Sequence, residues 1–94
     1  MSLTVKFIGV MRHLSGKTQL NVACQDGILI KELVYKISQE MPELKRIFID
    51  QELNDSRSNS LILVNGKEIS VLDGYETKLN DGDEIVFVPV VHGG

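Results

Sequence analysis

The chain has 94 residues, 43% of them hydrophobic and 24% charged, which sets the scale of one small globular domain near the lower limit for folding alone. Its net charge of −3 argues against a nucleic-acid surface, which should be basic, and an aromatic content of 5% without Trp argues against a base-stacking platform. No apolar run approaches the ~20 residues of a membrane span, no secretory pattern opens the chain, and a single cysteine excludes an internal disulfide, so the expected compartment is the cytoplasm.

Leu3, Val5 and Phe7 alternate with Thr4, Lys6 and Ile8, the period of a strand. Ser15-Gly16-Lys17 reads as a turn, and Thr18 to Cys24 alternates again, so the first two strands are expected to form a hairpin. Asp26-Gly27 breaks the second strand, and the period then changes. Ile30, Leu33, Val34, Ile37 and Met41 fall at helical spacing, with Lys31, Glu32, Lys36, Gln39 and Glu40 on the other side. Pro42 ends this helix, because its ring disfavours helical geometry in the residue before it. Leu44, Ile47 and Phe48 are expected to form one further helical turn, and Asp50 to Ser60, polar apart from Leu53, a surface loop.

Leu61 to Val64 is a short apolar run followed by Asn65-Gly66, the pair favoured in a two-residue type I′ turn because both positions take positive φ. Lys67 to Val71 is then the expected return strand and Leu72 to Leu79 a crossover. Asn80-Asp81-Gly82-Asp83 is a second turn, and Glu84 to Pro89 a buried last strand. Strand pairs flanking one helix belong to the α+β class. The economical arrangement is a β-grasp, or ubiquitin-like, fold: a mixed sheet of about five strands wrapped on one helix, with the first and last strands adjacent in the middle. Residues 1–94 form one domain in this reading, and residues 90–94 an extended tail.

Few side chains offer chemistry. Cys24 has no His, Lys or Arg beside it in sequence, so a small buried hydrophobe is the plainer reading than a reactive thiol. His13 and His92 are far apart and show no metal-ligand spacing with Cys24. Asp81-Gly82-Asp83 has the look of an acidic site but reads more simply as a turn. What remains is the end, Pro89-Val90-Val91-His92-Gly93-Gly94. Glycine has no Cβ, so such a tail is thin and can carry its carboxyl carbon through a narrow channel. An ordinary frayed terminus is the competing reading. If the Gly94 carboxylate is the reactive group, the chain itself binds no cofactor. A partner enzyme adenylates it with ATP, and a sulfur donor or an amine displaces AMP. His92 then has a recognition role, since a loose tail cannot preorganise a proton transfer.

Leu79-Asn80-Asp81-Gly82-Asp83-Glu84-Ile85, followed by Phe87, Pro89, Val91 and Gly93-Gly94, resembles the ThiS/MoaD family of ubiquitin-like sulfur carriers. Val5-Lys6-Phe7, Arg12 with Leu14-Ser15-Gly16, and Val64-Asn65-Gly66 fit the same family, so the resemblance spans essentially the whole chain. It implies a MoeB/ThiF-like, ubiquitin-activating-type adenylating enzyme as partner, a sulfur donor, and a thiocarboxylate on Gly94. The acceptor it implies is the large subunit of molybdopterin synthase or another sulfur-accepting enzyme. Bacterial MoaD-type tails usually carry two adjacent prolines, and here the second is Val90. The His92-Gly93-Gly94 ending, with Ile47-Phe48-Ile49 earlier, looks more like the eukaryotic ubiquitin-related modifier, which both carries sulfur for tRNA thiolation and tags proteins. Archaeal small modifier proteins mix these traits.

Alternation also places a partner surface. If Val5, Phe7, Ile85 and Phe87 face the helix, then Ile8, Val86 and Val88 face away and form an apolar patch beside the tail. The alternative is that the Asp50–Ser60 loop covers this face as core. The expected function is a sulfur carrier acting as the small subunit of molybdopterin synthase. A protein modifier joined through Gly94 and an interaction domain with an inert tail are the alternatives.

Overall fold

The computed structural model describes residues 1–45 and 60–89. Strand β1, Ser2–Phe7, buries Leu3, Val5 and Phe7 and turns Thr4 and Lys6 outward, as the alternation requires. Helix α1, Val10–Ser15, follows, then strand β2, Gln19–Ala23, antiparallel to β1. Helix α2, Ile30–Glu40, points Ile30, Leu33, Val34 and Ile37 at the sheet. The Glu32 carboxylate accepts the Leu29 N–H at 2.9 Å and places a negative charge in the helix's first turn, which complements the helix dipole. The helix ends at Met41, whose N–H donates to the Ile37 carbonyl at 2.8 Å; Pro42 begins a separate helical turn over 42–45 that buries Leu44.

Strands β3 (Ser60–Val64), β4 (Lys67–Glu68) and β5 (Glu84–Pro89) complete the sheet, in the order β2-β1-β5-β3-β4. β1 and β5 are parallel, and every other pair is antiparallel. One apolar cluster joins the inner face of the sheet to α2, with Phe7 and Phe87 stacked at 6.1 Å between ring centroids across the central pair. A five-stranded mixed sheet folded over one main helix is the β-grasp arrangement expected from the sequence.

The turn at 80–83 ties the two central strands to the β3–β4 turn. The Ser2 N–H donates to Asp81 Oδ1 and the Gly82 N–H to the Ser2 carbonyl, both at 2.8 Å. Asp83 accepts from the Asn80 N–H at 2.8 Å and from Asn65 Nδ2 at 2.9 Å. Asn65 itself sits at φ 50° and Gly66 at φ 86°, the positive pair that a type I′ turn demands. The Asp-Gly-Asp segment is therefore structural, its carboxylates taken up by N–H donors.

Four details differ from expectation. The first two strands are separated by α1 as well as a turn; with Met11 its one buried residue, a helix this short shows no readable period. The return strand stops at Glu68, because the Glu68 carboxylate caps the Ser70 N–H and draws Ile69–Val71 into a 3₁₀ turn. The crossover contains a second 3₁₀ turn, Gly74–Glu76, in which Thr77 Oγ1 donates to the Gly74 carbonyl at 2.7 Å. Ser60 is not loop: it is the buried first residue of β3, paired with Pro89. The rest of the expected loop, with Ile47 and Phe48, lies outside the described residues. Lys31 reaches Glu76 at 2.7 Å and links α2 to the second 3₁₀ turn. The Glu76 carboxylate holds the Lys31 amine above its ordinary range, so this link is present at neutral pH and is lost only as pH rises past that raised value.

Candidate functional site

The end of β5 is where the tail begins, and its surroundings are set by where β1 stops. Beyond Phe7, the Ile8 N–H still donates to the Phe87 carbonyl at 3.2 Å, and then the chain turns away at Gly9. Backbone groups alternate sides along a strand, so the Pro89 nitrogen faces the side that β1 has just vacated. A residue without an N–H is tolerated there because no ladder bond is left to make. Gly9 adopts φ 64° and ψ −134°, a conformation that L side chains rarely reach, and a Cβ on it would lie 3.0 Å from Pro89 Cγ. Glycine is required at this position twice over, by its dihedrals and by the proximity of Pro89. No sequence motif marked it, since its φ and its long-range neighbour both come from tertiary structure.

The outer face of the sheet is divided. On the β2 side it carries Gln19, Asn21, Thr4 and Lys6. On the β5–β3 side it is apolar. Val86 and Val88 are half-buried while their neighbours Ile85 and Phe87 are fully buried, and Ile8 is 47% exposed. The register adds two residues absent from the sequence reading: Leu61, 41% exposed, lies opposite Val88, and Leu63 lies opposite Val86. Both belong to the uniform run Leu61–Val64, whose two faces only the pairing with β5 distinguishes. Lys6 and Glu84 form an ion pair at 2.9 Å along the border between the halves; an exposed pair of this kind contributes at most ~1 kcal/mol.

The remaining candidates separate by position. Pro89 is the last residue of β5, and Val90, Val91, His92, Gly93 and Gly94 lie outside the described residues. His13 is exposed on α1. Cys24 is half-buried against the edge of the core, and its N–H donates to the Met1 carbonyl at 2.9 Å. It therefore sits beside the start of β1, whereas Pro89 sits beyond the end; six strand residues separate those positions by ~20 Å. The structure thus places the patch, and not the thiol, next to the end of β5 at Pro89. Among the described residues, no group of three His, Cys, Asp or Glu side chains is arranged to hold a metal ion, and no helix is long and apolar enough to cross a membrane.

Comparison with known proteins places this geometry in context. A family model described as the ThiS family matches residues 5–94. The chain is 31% identical over 100 residues to ubiquitin-related modifier 1 of Schizosaccharomyces pombe, with 100% of each chain covered. The solution structure of small archaeal modifier protein 1 from Methanosarcina acetivorans matches with a TM-score of 0.81 and 28% identity, over 99% of this chain and 96% of that one. A structure of the complex of subunits 1 and 2 of molybdopterin-converting factor from Helicobacter pylori matches with a TM-score of 0.62 and 28% identity, over 100% of both chains.

The close approach of Gly9 and Pro89 yields a direct test. Gly9→Ala is expected to cost about 1–3 kcal/mol of stability, from the strained backbone, and to displace Pro89. Urea denaturation measures the first effect, and amide chemical shifts of Ile8 and Val88 the second. An unchanged midpoint together with unchanged shifts would show that neither the dihedrals nor the contact matters.

Proposed function

Because this chain belongs to the ThiS family, we propose that it is a ubiquitin-like sulfur carrier that works through the carboxylate of Gly94. A carboxylate is a poor electrophile. Attack of its oxygen on the α-phosphate of ATP, in the site of a MoeB/ThiF-like adenylating enzyme, releases pyrophosphate and leaves an acyl adenylate. A sulfide-level nucleophile then displaces AMP, and the product is a thiocarboxylate. ATP is a substrate of the partner and not a cofactor of this chain. The catalytic side chains belong to the partner; this chain supplies the reactive carbon, a tail thin enough to deliver it, and a surface that docks. The cytoplasm is the compartment this reading calls for.

The observation that carries the proposal is the apolar strip of Ile8, Val86, Val88 and Leu61 running to the root of the tail at Pro89. An exposed apolar cluster often marks an interaction site, and this one adjoins the end that a partner must receive. The acceptor we propose is the large subunit of molybdopterin synthase, with this chain as the small subunit. The likeness to a chain of the Helicobacter pylori complex supports that choice. A second reading, conjugation of Gly94 to lysine amines of target proteins, is supported by the likeness to two proteins named as modifiers. The two share the adenylate and differ in the nucleophile that displaces AMP.

Deleting Gly94 is expected to abolish ATP–pyrophosphate exchange with the cognate adenylating enzyme while leaving the melting curve unchanged, since terminal residues add little stability unless tied down. Unchanged exchange in the truncated protein would remove the carboxylate from the mechanism.

The docking surface is tested separately. Ile8→Asp or Val88→Asp is expected to weaken binding to the adenylating enzyme by several kcal/mol, on the order of a hot-spot loss, because an unpaired charge would be buried at the interface. Phe87→Asp, one residue away and facing the core, is expected to unfold the domain instead. Early melting of the two outward variants with normal binding would mean that they belong to the core.

A further inference from the structure

The ten Lys and Arg and thirteen Asp and Glu residues are not evenly spread. Every acidic residue lies at Asp26 or beyond, so residues 1–25 carry Lys6, Arg12, His13 and Lys17 with no carboxylate among them. Lys6 is paired with Glu84. Arg12, His13 and Lys17 are exposed, have no ion pair among the described residues, and line one shallow cleft together with Gly9, Gly16 and Thr18. A chain of net charge −3 thus concentrates positive charge, unpaired among the described residues, on α1 and the turn after it.

This cleft is not remote from the tail. Gly9 forms part of its wall and is the residue that meets Pro89. The same segment exposes apolar area: Ile8, Val10 and Leu14 are 47%, 49% and 38% accessible, and Val10 and Leu14 share a face of α1 at i, i+4 spacing. Apolar side chains bordered by arginine and other polar groups are the usual make-up of a protein interface, with the charged border acting mainly on partner choice and association rate.

We infer that Arg12, His13 and Lys17 extend the docking surface beyond the sheet, and that this extension selects a partner whose tail-receiving mouth carries an acidic rim. The inference rests on the carrier reading and adds the electrostatic character of the partner. A nucleotide phosphate in the partner's active site is not the counter-charge in this reading: it would meet the Gly94 carboxylate, and five residues drawn out into the partner would reach up to ~17 Å beyond Pro89. An RNA backbone fits less well, because two cationic side chains and one histidine are few for a nucleic-acid footprint, and the cleft has no Phe, Tyr or Trp for bases to stack on.

The test is the salt dependence of ATP–pyrophosphate exchange by the adenylating enzyme encoded in the same genome, with this chain as the varied substrate. Double charge reversal, Arg12→Glu with Lys17→Glu, is expected to lower kcat/KM about tenfold or more at low ionic strength, through KM, with the gap closing as salt rises. The neutral pair Arg12→Gln with Lys17→Gln should fall between wild type and the reversal, and it carries the test if the reversed protein melts early. Equal kcat/KM and equal salt slopes for wild type and both variants, with exchange intact, would overturn the inference and leave the carrier reading standing. No exchange with the wild-type chain would overturn both. A mobility shift of total tRNA by wild type at physiological salt, lost in the charge reversal, would also overturn it, by making the cleft a nucleic-acid site.

Discussion

The parallel pairing of β1 with β5 is the constraint on which the rest depends. It joins the first and last described strands side by side in the middle of the sheet, a contact between segments about eighty residues apart in sequence. Three consequences follow from its register. Phe7 and Phe87 meet over α2 and fix the centre of the core. Ile8 and Val88 face outward near one another, although eighty residues separate them. The departure of β1 at Gly9 clears the side of β5 on which proline, lacking an N–H, can end the strand.

In the proposed reading, function is a matter of placement more than of reactive side chains. The carboxylates that look chemical in sequence, Asp81 and Asp83, are occupied in holding the 80–83 turn. The thiol is at the far end of the sheet. Near the root of the tail lie an apolar strip on β5 and β3, a glycine that lets β1 turn aside, and a cationic helix. In the proposed reading, a partner that accepts the tail covers all three, and one docking event aligns recognition with delivery of the C-terminal carbon.

Much of this was legible in the sequence because its signals are local or strictly periodic. The alternation of β1 and β5 gave their faces, the i, i+3, i+4 spacing gave α2, and Asn65-Gly66 gave the hairpin. The β-grasp followed from the order of elements and the need to bury one helical stripe. What stayed hidden depends on distant partners. α1 is too short to show a period. β4 reads as a longer strand until Glu68 caps the following turn. Leu61 and Leu63 cannot be told from Ile62 and Val64 until the strand is set against β5. Gly9 shows no motif, because its importance lies in a residue eighty positions away.

The central claim is that the reactive group is the Gly94 carboxylate. Mass spectrometry of this chain after incubation with ATP, the adenylating enzyme and a sulfur source tests it most directly. The expected result is one oxygen exchanged for sulfur, localised to the C-terminal peptide, in wild type and in Cys24→Ser alike. A persulfide on Cys24 beside an unmodified C-terminal peptide would contradict it and move the chemistry to the opposite end of the sheet.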